Sequence, residues 1–301
     1  EDSGKIKFIL TRHEQGAAFM AEIYGRLTGN PAGALGTLGP GATNLITGVA
    51  DSNMDRAPML VLTGQGSTDR LHKESHQIMD VVSMFKPVTK WATTILNADT
   101  IPEIVRKAVR IARTEKPGAV HLELPEDIAS HESDSVPLQP RRFRRPVPDE
   151  KIVNQAFAMM QAARRPVIVA GNGCIRRRAS AQLRLLCEKT GIGVISTFMA
   201  KGCVDMDADY CLYTVGLGTK DRVAMAIDDA DLVTHRDDRA VLVKRGEGAG
   251  DEGGSVRVVA ARGGRERACQ PSTRIRCSTP CAQRHRVRAR ATAPQDCTPR
   301  T

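Results

Sequence analysis

The 301-residue sequence predicts an α/β protein: two doubly wound parallel-sheet domains followed by a disordered basic tail. Three observations carry that expectation. Short apolar runs alternate with helical patterns over residues 5–128, and again from residue 149. A stretch rich in Pro and charge, without periodicity, separates the two series at 129–148. The alternation then stops after residue 234. Apolar strands alternating with helices are the pattern of a parallel sheet covered on both faces.

The elements follow in order. KIKFIL (5–10) reads as a strand. The helix after it carries Met20, Ile23, Tyr24 and Leu27 at one-face spacing, expected to be its core stripe. AGALGTL is a strand, ATNLITGVADSNM a helix, PMLVLTG a strand and KPVTKWATTIL a further strand. In IPEIVRKAVRIARTE, Ile101, Ile104, Val105, Ala108 and Ile111 share a face, and GAVHLELP closes the first domain (1–128) as a strand. After the linker, the second series (149–234) has helices at 150–163, 179–190 and near 220–227, and strands at PVIVAG, GIGVIST and 231–233.

Residues 235–301 hold no aromatic residue, and Leu242 and Ile275 are their only Leu or Ile. Such a composition buries too little apolar surface to offset its ordering entropy. It also holds the chain's charge. With 14 Arg and one Lys against seven acidic residues it contributes +8 of the net +10, leaving the body nearly neutral. The abrupt switch inside a strand, with Arg, Gly and Cys enriched, points to an out-of-frame or truncated reading. A basic tail binding nucleic acid is the competing account, disfavoured because no aromatic platform accompanies the charge. No run approaches the ~20 apolar residues of a membrane span. The eight Cys form no C-x-x-C pair and read as free thiols in a cytoplasmic protein.

Glu14 stands where the first strand turns into helix, in TRHEQGAAFM. Locally, Thr11-x-x-Glu14 is a capping box, with Thr11 as N-cap. The glycine loop GTLGPGATN (36–44) lacks the Gly-Lys-Ser/Thr of a phosphate loop. It reads as a tight turn that lets backbone approach a ring or a neighbour. His72 and His76 have metal-ligand spacing but no third ligand, so no metal site is expected of them.

Three segments together bring a family into view: RHEQGAAFMAEIYGRLTG (12–29), LGTLGPGATNLITGVADSNMDRAPMLVLTGQ (35–65) and RLHKESHQIMDVVSMFKPVTKW (70–91). They resemble the pyrimidine-binding domain of thiamine-diphosphate enzymes, nearest the acetolactate synthase large subunit. RPVIVAGNG (165–173) and TVGLGTKD (214–221) are similar to that family's central domain. The resemblance implies that Glu14 is catalytic, hydrogen-bonding N1′ of thiamine diphosphate's aminopyrimidine in a water-poor site where burial raises its pKa. The expected reaction is decarboxylation of pyruvate and carboligation to a second 2-oxo acid. Relatives using glyoxylate, benzoylformate or sulfoacetaldehyde share the motifs. It also implies that Gly39, Gly41, Thr43, Asn44, Gln65 and Gln77 border the cofactor pocket. Gly171, Gly173, Gly216, Gly218 and Thr219 match where the family holds a non-catalytic FAD, which some relatives lack. Homodimers or homotetramers are the family's assemblies. Its Mg²⁺ and diphosphate are held through Gly-Asp-Gly and Asn-Asn in a third domain, and neither motif occurs here. The opening strand and helix of the family's first domain are likewise missing, so the isolated chain is expected to be inactive.

Overall fold

In the computed structural model, residues 6–139, 147–176, 179–216, 222–237, 240–245 and 257–260 are described. The first series runs α1 (Glu14–Thr28), β1 (Ala32–Gly36), α2 (Pro40–Met54), β2 (Met59–Gln65), α3 (Val81–Phe85), β3 (Ala92–Thr94), α4 (Ile101–Arg113), β4 (Ala119–Pro125) and α5 (Glu126–Ala129). Its four strands are all parallel, in the order β1-β2-β4-β3. The second series runs α6 (Glu150–Ala162), β5 (Pro166–Ala170), α7 (Asn172–Arg176), α8 (Ser180–Thr190), β6 (Gly193–Ser196), β7 (Cys211–Thr214), α9 (Arg222–Asp229), β8 (Leu232–Asp237), β9 (Ala240–Arg245) and β10 (Arg257–Ala260). These strands lie in the order β10-β9-β8-β5-β6-β7, parallel from β8 to β7. No helix among the described residues is long and apolar enough to cross a membrane.

The two-domain α/β architecture matches the sequence expectation, with four local differences. Residues 6–10 form no strand; Ile6 and Leu10 are largely exposed, because β1 is the sheet's edge and no strand beside it takes them in. In KPVTKWATTIL only Ala92–Thr94 is strand, because Lys86–Val88 is a 3₁₀ turn that Pro87 favours at its start. β9 and β10 fall inside the segment read as structureless. AVLVKR and RVVA are short Val-rich runs that pair antiparallel to β8 and to each other, and β-branched residues suit a pleated sheet. Most of the remaining tail lies outside the described residues.

The fourth difference concerns α1, which turns its large residues outward. Met20, Ile23, Tyr24 and Leu27 are exposed, while Ala18, Ala21, Glu22 and Gly25 are buried. Small residues win the inner face because α1 crosses α2 closely: a Cβ on Gly48 would sit 2.6 Å from the Cβ of Ala18. Behind this pair lie Leu45, Val49, Met59, Val61 and Phe85, all fully buried. The other face of the sheet packs on α4, whose Ile101, Ile104, Val105, Ala108 and Ile111 form the stripe the sequence predicts. Lys90 closes the end of that helix, its ammonium donating to the carbonyls of Ile111 and Thr114. Burial, with Arg56 nearby, lowers its pKa to about 8 against the pull of Glu115.

A polar column interrupts the α1/α2-side core. His121 on β4 is fully buried, stacks on Phe85 at 4.1 Å and shares a 2.9 Å hydrogen bond with Thr63 of β2. Its Nδ1 has no partner, so protonation would bury an N–H without an acceptor. Burial accordingly lowers its pKa to about 4.

Two outcomes follow from this packing. Gly48→Val should cost about 1–3 kcal/mol by overpacking the α1–α2 crossing, read as a lower urea midpoint with the m-value unchanged. His121 makes stability fall as pH drops from about 6.5 towards about 4, because there the unfolded chain takes up a proton that the folded one refuses. Relative to His121→Gln, the loss across that window should approach about 3 kcal/mol in denaturant titrations at stepped pH.

Candidate active site

The carboxyl ends of β1, β2 and β4, with the start of α1, bring the chemistry-bearing side chains of the first domain together. Glu14 is the first residue of α1. The N-cap is His13, not Thr11: the His13 Nδ1 accepts from the Gln15 amide at 3.1 Å, and the Thr11 hydroxyl donates to the His13 carbonyl. Glu14 is thereby released from a capping box. Its Oε2 accepts from Asn44 Nδ2 at 3.0 Å, across from the first turns of α2.

The glycine loop lets α2 approach this closely. Gly39 adopts φ 56°, a left-handed conformation costly to residues with a Cβ. A Cβ there would also lie 2.8 Å from the Gln77 Cβ. One on Gly41 would lie 3.3 Å from Glu14 Oε1 and 2.5 Å from Thr37 Cγ2. The loop thus packs on Gln77 on one side and tightly against Thr37 and Glu14 on the other. Thr43 instead bonds its hydroxyl to the Pro40 carbonyl, inside the first turn of α2.

Glu14 is half-buried, and its pKa is lowered, not raised as the sequence analysis expected. Its own backbone N–H at the helix start is the largest cause and Asn44 the second; together they outweigh the upward push of burial. A helix N-terminus favours the anion in the same direction.

Gln65 and Gln77 differ. Gln77 is exposed, with φ 59°, beside Gly39. Gln65 is buried, and its amide is bonded to Met79, Glu123 and Gly66. Sequence reasoning missed Glu123, a buried carboxylate on β4; the alternation in HLELP places it inward, but no motif marks it. His72 and His76 lie on an irregular segment, where i, i+4 spacing does not align two side chains.

In the second domain, Gly171 and Gly173 flank Asn172, which begins the short α7. Its Nδ2 donates to the Asp55 carbonyl at 3.1 Å, and Arg176 reaches Glu115 at 3.2 Å. AGNG therefore ties the second sheet to the first. Gly216 follows β7, while Gly218 and Thr219 lie outside the described residues. Glu22, Asp51 and Asp55 cluster at the far end of α1, with Arg26 paired to Glu22 at 2.8 Å and to Asp55. A broad cleft between the sheets is lined by Arg56, Arg110, Arg113, Arg176 and Lys201; none of Glu14, Asn44 or Gln77 lines it.

Residues 1–84 match the N-terminal TPP binding domain of thiamine pyrophosphate enzymes, and residues 153–235 match their central domain. The chain is 39% identical over 226 residues to a glyoxylate carboligase of Escherichia coli O157:H7, covering 74% of this chain and 38% of that protein. It is 37% identical over 227 residues to a probable acetolactate synthase large subunit of Methanococcus aeolicus, covering 70% and 37%. To an acetolactate synthase of Arthrospira platensis it is 36% identical over 223 residues, covering 72% and 38%. The chain thus spans under two-fifths of the length of these relatives. It belongs to the thiamine pyrophosphate enzymes, of which it carries the N-terminal cofactor-binding domain and the central domain.

Proposed function

We propose that this chain supplies the pyrimidine-activating half of a thiamine-diphosphate-dependent carboligase that decarboxylates one 2-oxo acid and joins the remainder to a second. Pyruvate is the substrate we infer, by analogy with relatives named acetolactate synthase; glyoxylate is the second reading, by analogy with the glyoxylate carboligase. The observation that carries the proposal is the Glu14 carboxylate, half-buried at the start of α1 and held by Asn44.

The residues present fit the pyrimidine end of the cofactor. Glu14 offers a half-buried carboxylate of the kind a ring nitrogen can share a proton with, and Asn44 orients it. When bound, thiamine diphosphate supplies a carbon nucleophile and an electron sink for the 2-oxo acid. Glu14 holds or releases a proton at Oε1, opposite a ring nitrogen. Asn44 fixes Oε2, so the carboxylate cannot rotate away. Gly39 and Gly41 would bring loop backbone close to the ring, and Gln77 would border it from the loop side. The outward apolar face of α1 (Phe19, Met20, Ile23, Tyr24, Leu27) supports subunit association beside the pocket.

Binding tests the proposal without requiring turnover. The chain should bind thiamine diphosphate in calorimetric titration, and Glu14→Ala should weaken Kd about 10- to 100-fold, the loss of one charge-assisted hydrogen bond. Asn44→Ala should weaken it less and raise the Glu14 pKa, read by carbon NMR of the labelled carboxyl. The Glu14-dependent part of binding should persist to pH values below 4.5 and vanish as Glu14 protonates. Equal affinity in the unchanged chain and Glu14→Ala would sink the assignment.

A further inference from the structure

Gln65 is 4% exposed and ends β2, where the chain leaves the sheet for the segment bearing Gln77. Its Oε1 accepts the Gly66 amide at 2.9 Å. Its Nε2 donates to the Met79 carbonyl at 2.9 Å and to Glu123 Oε1 at 3.0 Å. One side chain thereby holds both ends of residues 66–79. Glu123, also 4% exposed, takes its remaining hydrogen bond from the Thr94 hydroxyl at 2.7 Å. Between the ends, Thr68 bonds to Asp127 and Arg70 pairs with Glu126 at 3.7 Å, so the start of the segment has other anchors. The end nearest Gln77 hangs on Gln65.

We propose that Gln65 and Glu123 form a buried clasp that positions the 66–79 segment and, through it, holds Gln77 against Gly39. Both are positioning residues, since neither amide hydrogen of Gln65 is left for a ligand. The part played by Glu123 is orientational. A carboxylate facing Gln65 accepts only, so it selects the rotamer that puts the amide nitrogen towards Glu123 and Met79 and the oxygen towards Gly66. Without that acceptor one Nε2 hydrogen stays buried and unpaired, and the clasp keeps only its bonds to Met79 and Gly66. The two donors on Glu123 also explain how a carboxylate is kept in a core that raises its pKa.

The consequence for ligand binding rests on the proposed role of Gln77; the clasp itself does not. The test uses the full chain, with hydrogen exchange read by mass spectrometry over residues 66–80 and tryptic cleavage after Arg70 and Lys73. In the unchanged chain the 66–80 amides should exchange more slowly than those of 131–139, which form no element. Gln65→Glu and Gln65→Met should each speed cleavage about tenfold, the loss of one to two net hydrogen bonds, while the circular dichroism spectrum is retained. Glu123→Leu should loosen the segment by a smaller factor. Glu123→Gln should restore it, because its oxygen can face Gln65 while its nitrogen faces the Thr94 hydroxyl. A general packing defect would give no such rescue.

Cleavage unchanged in a folded Gln65 variant overturns the clasp. So does exchange over 66–80 as fast as over 131–139 in the unchanged chain, a comparison that needs no variant to fold. Thiamine diphosphate titration separates the two readings. If the unchanged chain does not bind while the segment responds as expected, the functional assignment falls and the clasp stands. If it binds and the segment ignores Gln65, the reverse holds.

Discussion

The parallel pairing of β2 with β4 is the constraint on which the site depends, because it sets Thr63 opposite Glu123 and carries Gln65 and His121 into the same buried column. Polar side chains this deep are tolerated only when their hydrogen bonds are met inside the protein. Thr63 meets His121, Gln65 meets Glu123, and Thr94 on the neighbouring strand meets Glu123 in turn. A one-residue slip of β4 would send His121 and Glu123 to the α4 face and leave Thr63 and Gln65 facing hydrocarbon. The register is therefore specified by polar matching as well as by apolar packing.

From that strand pair the geometry propagates outward. α2 is drawn against α1 by small residues at their crossing, which places Asn44 within reach of Glu14. The segment leaving β2 returns to the same strand end through Met79, which leaves Gln77 beside the glycine loop. The second sheet is joined to the first through Asn172 and Arg176.

How much of this could be read from the chain varies by element. The strands that became β2, β4, β5 and β6 and the amphipathic α4 were plain, since their periodicity reflects burial on one or both faces. The α1 stripe misled, because spacing reports which residues share a face but not whether that face meets the core. A close helix crossing reverses the usual inference by favouring Ala and Gly inside. Residues 6–10 look like a strand, but a strand also needs a neighbour to pair with. β9 and β10 are too short and too surrounded by Arg and Gly to stand out. Glu14, Asn44 and Gln77 were found through the family's motifs. Glu123 and His121 carry no motif, and their importance emerges only when both strands are side by side.

The proposed clasp at Gln65 makes the geometry of the 66–79 segment an extension of the buried core. Substitutions that repack β2 against β4 would be sensed at Gln77 even when they leave stability intact. A homologue that changed its ligand would find its easiest route in the exposed Gln77 side of the loop, where a side chain can alter without asking the sheet to move.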